Sequence, residues 1–306
     1  MSLLVVGSVA LDSVKTPFGE RKRLLGGSAT HFSVSASMFT PIRLVGVVGE
    51  DFPEEHLEFM RSRRIDLEGL KVAKGKTFHW VGEYTENLND AITLETHLNV
   101  FADFRPKLPG NYQTSKYVFL ANIDPDLQMN VLDQVEKPEF VACDTMNFWI
   151  EGKPEALWEI LKRVDALLIN DGEVRMLAGE RNLVKAARRI LQEGPKTLVV
   201  KRGEYGALLF DEKGEFWAPA LPLDNLSDPT GAGDSFAGGF MGYLVSHGEI
   251  NHENFRRAII YGSTMASFNV QAFGLDRLRT LSPEEVEERA QNFKFLADFD
   301  LPLRTW

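Results

Sequence analysis

Apolar residues fall along this chain in short unbroken runs, and the stretches between the runs carry a helical period. The run "LLVVGSVAL" at residues 3–11 reads as a buried strand passing into a turn, and "IRLVGVVG" at 42–49 as a second strand. Between them "GGSATHFSVSASMF" predicts a glycine turn followed by a helix of small residues. "PEEHLEFMRSR" opens with proline and acids, a favourable helix start, because proline has no N–H to leave unpaired and carboxylates suit the positive end of the dipole. From Tyr117 the alternation becomes regular. The strands "YVFLANI", "FVACD", "ALLIN" and "TLVVKRG" alternate with the helical stretches "DLQMNVLDQVE", "PEALWEILKRV", "GEVRMLAG" and "NLVKAARRILQEG". "GALLFD", "GEFWAPA", a long helix opening at Gly231, "ENFRRAIIYGSTMASFNV" and "SPEEVEERAQNF" complete the body; the last carries Ser282 and Glu285 at capping-box spacing. Short apolar strands alternating with amphipathic helices predict an α/β fold, with a mostly parallel sheet covered by helices on both faces. Ligands of such sheets gather beyond the carboxyl ends of the strands, which singles out Asp12, Asp144, Asn170 and Gly203. Asp12 is placed where the first strand ends.

Residues 76–104 break this texture. "FHWVGEYTENLNDAITLETHLNVF" is rich in aromatic and β-branched residues, with turn-like "ENLND" between two strand-like runs and no helix to cover it. It predicts a small β lid, built from about residues 12–25 and 76–104, on a single domain spanning 1–306. Phe78, Trp80, Tyr84 and His97 on this lid either stack on a base or pack the lid against itself or a second copy; packing is the simpler reading. Its open strand edges point to a homodimer through the lid.

Composition narrows the partners. The chain has 306 residues, 44% hydrophobic and 25% charged, with a net charge of −10. That charge repels polyanions, so neither nucleic acid nor an anionic membrane is an expected partner. The single cysteine, Cys143, reads as a small core residue without a disulfide partner. No basic leader and no run of ~18 apolar residues is seen, so neither a signal peptide nor a membrane span is expected, and a cytoplasmic location is. The six histidines lack the H-E-x-x-H spacing of a zinc site.

Four motifs carry candidate chemistry. In "DPTGAGDSFAGGF" three small residues, Gly231, Ala232 and Gly233, precede Asp234 at the start of a helix. The first N–H groups of a helix lack intrahelical partners and sit at its positive pole, so a glycine approach makes an anion site. Asp234 beside it suits a base that accepts the proton of an attacking alcohol in phosphoryl transfer, a reaction that asks mostly for positioning and charge stabilisation. An ordinary helix start, with glycine for packing and Asp234 for the dipole, is the structural alternative. In "INDGEVRML", Asn170 and Glu173 form a capping-box pattern; alternatively both face phosphates, with Glu173 holding water or Mg²⁺. Asp12 in "GSVALD" either accepts two hydroxyls of a sugar or is a solvated loop acid. Gly26 and Gly27 in "LLGGSATHF" either admit a ligand close to the backbone or make a plain turn. No G-x-x-x-x-G-K-[ST] loop occurs, and "VVGSVALD" lacks the G-x-G-x-x-G of a dinucleotide site, which sets a dehydrogenase aside.

Together these pieces resemble the ribokinase-like (PfkB) family of carbohydrate and nucleoside kinases. "DPTGAGDSFAGGF" is similar to its C-terminal signature nearly residue for residue, "GGSATHFSVSAS" to its glycine-pair signature, and "NDGE" to its N-x-x-E element. "VVKRGEYGALL" resembles the family's glycine-containing strand pair, and the likeness runs over essentially the whole chain. The resemblance implies a large α/β domain with a β lid over the acceptor, and ATP with Mg²⁺ as cofactors. It implies Asp234 as catalytic base, and Gly231, Ala232 and Gly233 as anion hole. Asn170, Glu173 and Gly203 fall on the nucleotide phosphates, with Mg²⁺ reached from Glu173 through water, and Asn269 and Gly274 in "MASFNVQAFG" on the adenine pocket. Asp12, Gly26, Gly27 and His31 fall at the acceptor, and Asp228 at a monovalent cation such as K⁺. His31 stands where the family often has asparagine. The implied reaction is transfer of the γ-phosphoryl group of ATP to a hydroxymethyl oxygen. A sugar is the default acceptor, a nucleoside the alternative, and a non-catalytic binding module on the same fold the second alternative.

Overall fold

In β1 (Leu3–Val6) every side chain is fully buried, and the residues alternate between two cores: Leu3 and Val5 join one, Leu4 and Val6 the other. Such a strand needs cover on both faces. The computed structural model describes residues 2–89 and 91–296. After β1 come β2 (Ala10–Thr16), β3 (Gly19–Gly26), α1 (Ser28–Ala36), β4 (Ile42–Gly49), α2 (Glu54–Ser62), β5 (Ile65–Ala73), β6 (Phe78–Tyr84) and β7 (Ala91–His97). The second half runs through β8 (Tyr117–Leu120), α3 (Pro125–Leu132), β9 (Phe140–Asp144), α4 (Asn147–Gly152), α5 (Pro154–Leu161), β10 (Ala166–Asn170), α6 (Asp171–Ala178), α7 (Leu183–Glu193) and β11 (Thr197–Lys201). It closes with β12 (Ala207–Asp211), β13 (Gly214–Ala218), α8 (Ala232–His247), α9 (His252–Asn269), α10 (Asp276–Arg279) and α11 (Pro283–Leu296).

The large sheet has the order β13-β12-β11-β10-β9-β8-β1-β4-β5. It is parallel from β11 to β5, and β12 and β13 extend it antiparallel. Helices α1, α8 and α9 supply Phe32, Phe240 and Phe255 to one core; α3, α5 and α7 supply Val131, Leu157 and Ile190 to the other. Chain order reverses between β1 and β8, so the crevice beyond the carboxyl ends of that pair is the expected ligand position.

A second sheet, β3-β2-β6-β7, forms the lid. Here the structure corrects the sequence reading: β1 stops at Val6, and Asp12 lies inside the lid strand β2, not at the end of β1. Ala10 to Lys15 pair parallel with Phe78 to Glu83 on β6. The turn expected in "ENLND" lies between β6 and β7, with Asp90 outside the described residues. Thr16 Oγ1 at the end of β2 donates to the Ser227 carbonyl (2.8 Å), which ties the lid to the loop leading into α8. Among the described residues no helix is long and apolar enough to cross a membrane.

Candidate active site

The turn before α8 is built from glycine necessity. Gly231 sits at φ 71°, left-handed, and a Cβ on it would land on the imidazole of His31. α8 has no side-chain cap. The Ala232 N–H is engaged by the Pro229 carbonyl (3.1 Å) and the Ser235 N–H by the Gly231 carbonyl (2.8 Å). The N–H groups of Gly233 and Asp234 have no backbone partner among the described residues, and they mark the open part of the anion turn. The Lys201 ammonium lies beside it, 3.0 Å from where a Cβ on Gly233 would stand. The turn thus offers free amides, a dipole end and a cation, next to the Asp234 carboxylate.

On the acceptor side, Asp12 Oδ2 accepts the Gly27 N–H (3.2 Å), and a Cβ on Gly26 would collide with that same carboxylate. The glycine pair therefore lets Asp12 lie against the backbone entering α1. Burial pushes the Asp12 carboxyl up to about 7 against the pull of the Gly27 amide, and the Asp228 and Asp234 charges add to the rise. Asp12 is the register partner of Trp80 on β6, so the carboxylate and the indole share one lid face. The indole lies over Gly82, where a side chain would strike it, and its Nε1 donates to Thr93 Oγ1 (3.2 Å). Tyr84 sits on that face too; burial first, and then Asp228, Asp12 and Asp234, push its hydroxyl up to about 12.

Three expected positions, Asn269, His31 and Gly274, lie in one buried hydrogen-bonded group behind the anion turn. Asn269 is fully buried. Its Oδ1 receives Ser235 Oγ (2.9 Å) and meets His31 Nδ1 (3.1 Å), and its Nδ2 donates to the Thr230 carbonyl (2.8 Å). The last turn of α9 simply points it inward. His31, 1% exposed, is correspondingly a floor under Gly231; with Asn269 Oδ1 accepting, its Nδ1 carries the hydrogen, and burial pulls the ring below the usual histidine range. The Gly274 N–H donates to Asp228 Oδ2 (2.9 Å). Asp228 Oδ1 accepts the Thr230 N–H (2.9 Å), and this buried carboxylate has no ion-pair partner among the described residues.

On the nucleotide side, three neighbouring strands deliver charge to one place. β9 ends in Asp144, β10 leads into Glu173, and β11 ends in Lys201. Asn170 Oδ1 accepts the Glu173 N–H (2.8 Å) and Glu173 Oε2 accepts the Asn170 N–H (3.1 Å), a complete capping box. Burial raises the Glu173 carboxyl, which Lys201 partly offsets. Asp144 is driven well above the carboxylate range by burial and by the Asp234 charge, and its Oδ1 is buried with no hydrogen-bond partner. An orphaned carboxylate oxygen beside Glu173 fits a hydrated divalent cation brought in with a nucleotide. Among the described residues no group of three or more His, Cys, Asp or Glu could hold a metal ion. Gly203 opens the turn after β11 at φ 52°, facing Asn89 of the lid hairpin. Sequence reasoning singled out Asp144 as a strand-end residue without assigning it chemistry, and the family resemblance put Lys201 at a strand end near the nucleotide. Both end strands, and that position is the signal that finds them.

The pfkB family carbohydrate kinase model matches residues 4–280. The cytidine kinase of Thermococcus kodakarensis is 33% identical over 248 residues, spanning 79% of this chain and 87% of the relative. The nucleoside kinase of Burkholderia thailandensis, solved in complex with inosine, superposes with a TM-score of 0.79 at 19% identity, over 96% of this chain and 98% of that one. A candidate ribokinase II from E. coli in complex with ATP and Mg²⁺ superposes with a TM-score of 0.78 at 18% identity, over 95% and 99%.

Proposed function

This chain belongs to the pfkB family of carbohydrate kinases, phosphotransferases with an alcohol acceptor, and from that premise we propose that it moves the γ-phosphoryl group of ATP to the hydroxymethyl oxygen of a nucleoside. The observation that carries the acceptor is the pairing of Asp12 with Trp80 on one lid face: a carboxylate for sugar hydroxyls beside a ring for a base. The likeness to a cytidine kinase supports the same choice over a free sugar.

In this reading Asp234 orients the attacking hydroxyl and takes its proton as the new P–O bond forms. The free amides of Gly233 and Asp234 and the Lys201 ammonium stabilise charge on the transferring group. Gly231 and Ala232 shape that turn. Glu173 and Asp144 are the residues that would hold Mg²⁺, which neutralises phosphate charge when bound. Asp228, buried and without an ion pair among the described residues, is the candidate for K⁺. The lid excludes water from the phosphoryl group. A second copy is the proposed cover for β7, whose seven residues are all exposed.

An acceptor panel with ATP and Mg²⁺ tests this. Cytidine, uridine, adenosine and inosine are expected to exceed ribose and fructose in kcat/KM. Trp80→Ala is expected to raise the nucleoside KM about tenfold, since base–aromatic stacking is worth ~1–3 kcal/mol, with little change for ribose. A free sugar outperforming every nucleoside would contradict the acceptor assignment and leave phosphoryl transfer standing.

A further inference from the structure

A cleft of about 190 Å³ opens on the lid, lined by Arg23, Asp51, Lys76, Thr77, His79, His97 and Asn99. His79 precedes Trp80 on β6, so it points away from the Asp12–Trp80 face. The cleft is therefore distinct from the acceptor side. It straddles the joint of the molecule: Arg23, His79 and His97 come from the lid strands, Asp51 from the body just beyond β4, and Lys76 and Thr77 from the link into β6.

Its charge is positive in a chain of net −10. Asp51, the one carboxylate among the lining residues, is fully engaged. Its Oδ1 accepts from the Thr77 N–H (2.7 Å) and Oγ1 (2.8 Å), and its Oδ2 from Arg23 (3.0 Å). Glu95, two residues before His97 on β7, is held by His97 Nε2 (2.7 Å). Lys76 has no ion-pair partner among the described residues, and only one nitrogen of the Arg23 guanidinium is committed to Asp51. The imidazoles of His79 and His97 stack with centroids 5.8 Å apart. Ser13 Oγ accepts the Arg23 N–H (3.1 Å) and can give its own hydrogen to His79 Nε2 (2.9 Å), which leaves the His79 proton on Nδ1 as a donor. Backbone strain gathers here too. Of the four non-glycine residues at positive φ among the described residues, Arg23 (54°) and Asn99 (49°) both line this cleft, and strain of that kind marks functional sites.

We propose that this cleft binds a phosphoryl dianion, free phosphate or a phosphomonoester, and that the bound anion clamps the lid to the body. Arg23 and Lys76 supply charge, and the His79 Nδ1–H supplies a donor that strengthens as the ring takes up a proton. The groups facing the pair are Arg23, Lys76, Asp51 and Glu95. A proton on His79 meets the His97 ring and Arg23, a repulsion that the bound anion relieves, and because the dianion itself takes up a proton at about pH 6–7, binding is strongest near neutral pH.

The test is titration of the full chain with inorganic phosphate, with MgADP filling the anion turn, read at the imidazole Cε1–H resonances. Six histidines make assignment practical, through His79→Gln and His97→Gln. Saturable shifts at His79 and His97 are expected, with Kd raised roughly tenfold by Lys76→Ala or Arg23→Gln. Glycerol 2-phosphate run in parallel identifies the source: whichever ligand binds tighter at these resonances is the one the site is built for. Slower amide exchange in β6 and β7 on binding is the expected sign of the clamp. Resonances that stay still, or shifts that both variants leave unchanged, overturn the site; binding with unchanged exchange overturns the clamp.

Discussion

Asp12 shows how one residue links burial to both stability and chemistry. Its carboxyl stands near 3.8 in an unfolded chain and about 7 in the folded one. The folded state thus holds the proton more tightly. The stability this provides is complete below pH 3.8 and is lost as pH rises through 7. Asp12→Asn is expected to raise the melting temperature at pH 8, by on the order of 2–4 kcal/mol of stability, with the gain fading toward pH 4. The ionised carboxylate is the stronger acceptor for hydroxyls, so wild-type kcat/KM for the acceptor should climb as pH rises through 7. A flat profile and an unchanged melting temperature would contradict this role. Residues whose partners are local were legible in the sequence: the glycine turn before Asp234 and the Asn170–Glu173 pair announce themselves by spacing. The contact between His31 and Asn269 was not, because it joins positions 238 apart and no local pattern encodes it.

At the scale of elements, the link from β10 to α6 does two jobs with one pair of side chains. The capping box satisfies helix amides, and Glu173 still presents a carboxylate beside Asp144 and Lys201. Glu173→Gln keeps an oxygen for the Asn170 N–H. Its melting temperature should therefore stay near wild type while KM for MgATP rises about tenfold. Asn170→Ala loses the cap and should cost about 1 kcal/mol in denaturant unfolding. Equal KM values for Glu173→Gln and wild type would reduce Glu173 to a cap. Runs apolar on every position gave away the central strands. β3 fell within the lid expected over about residues 12–25 although Glu20 to Arg23 are charged and exposed, and β5 was hidden because charged and exposed positions interrupt its apolar ones. Lid strands have one thin layer to cover, and such strands lack the periodic signal of a core.

For the whole molecule, the open edge is the governing feature. β7 is exposed throughout, with Ile92 and Leu94 about half exposed, and an apolar edge of that kind invites pairing. Sedimentation is expected to give twice the 34.4 kDa chain mass, and Leu94→Lys to return the protein to the single-chain mass. A wild-type monomer would contradict the lid interface. The body was readable as a whole because parallel α/β order is written in alternation, whereas the lid's docking across Thr16 and Ser227 depends on tertiary geometry. The most direct measurement is acceptor-dependent ADP release by Asp234→Asn, beside nucleotide affinity measured on the same sample. The account predicts turnover reduced roughly 10²–10⁴-fold with nucleotide affinity nearly unchanged. Near wild-type turnover in that variant would contradict it.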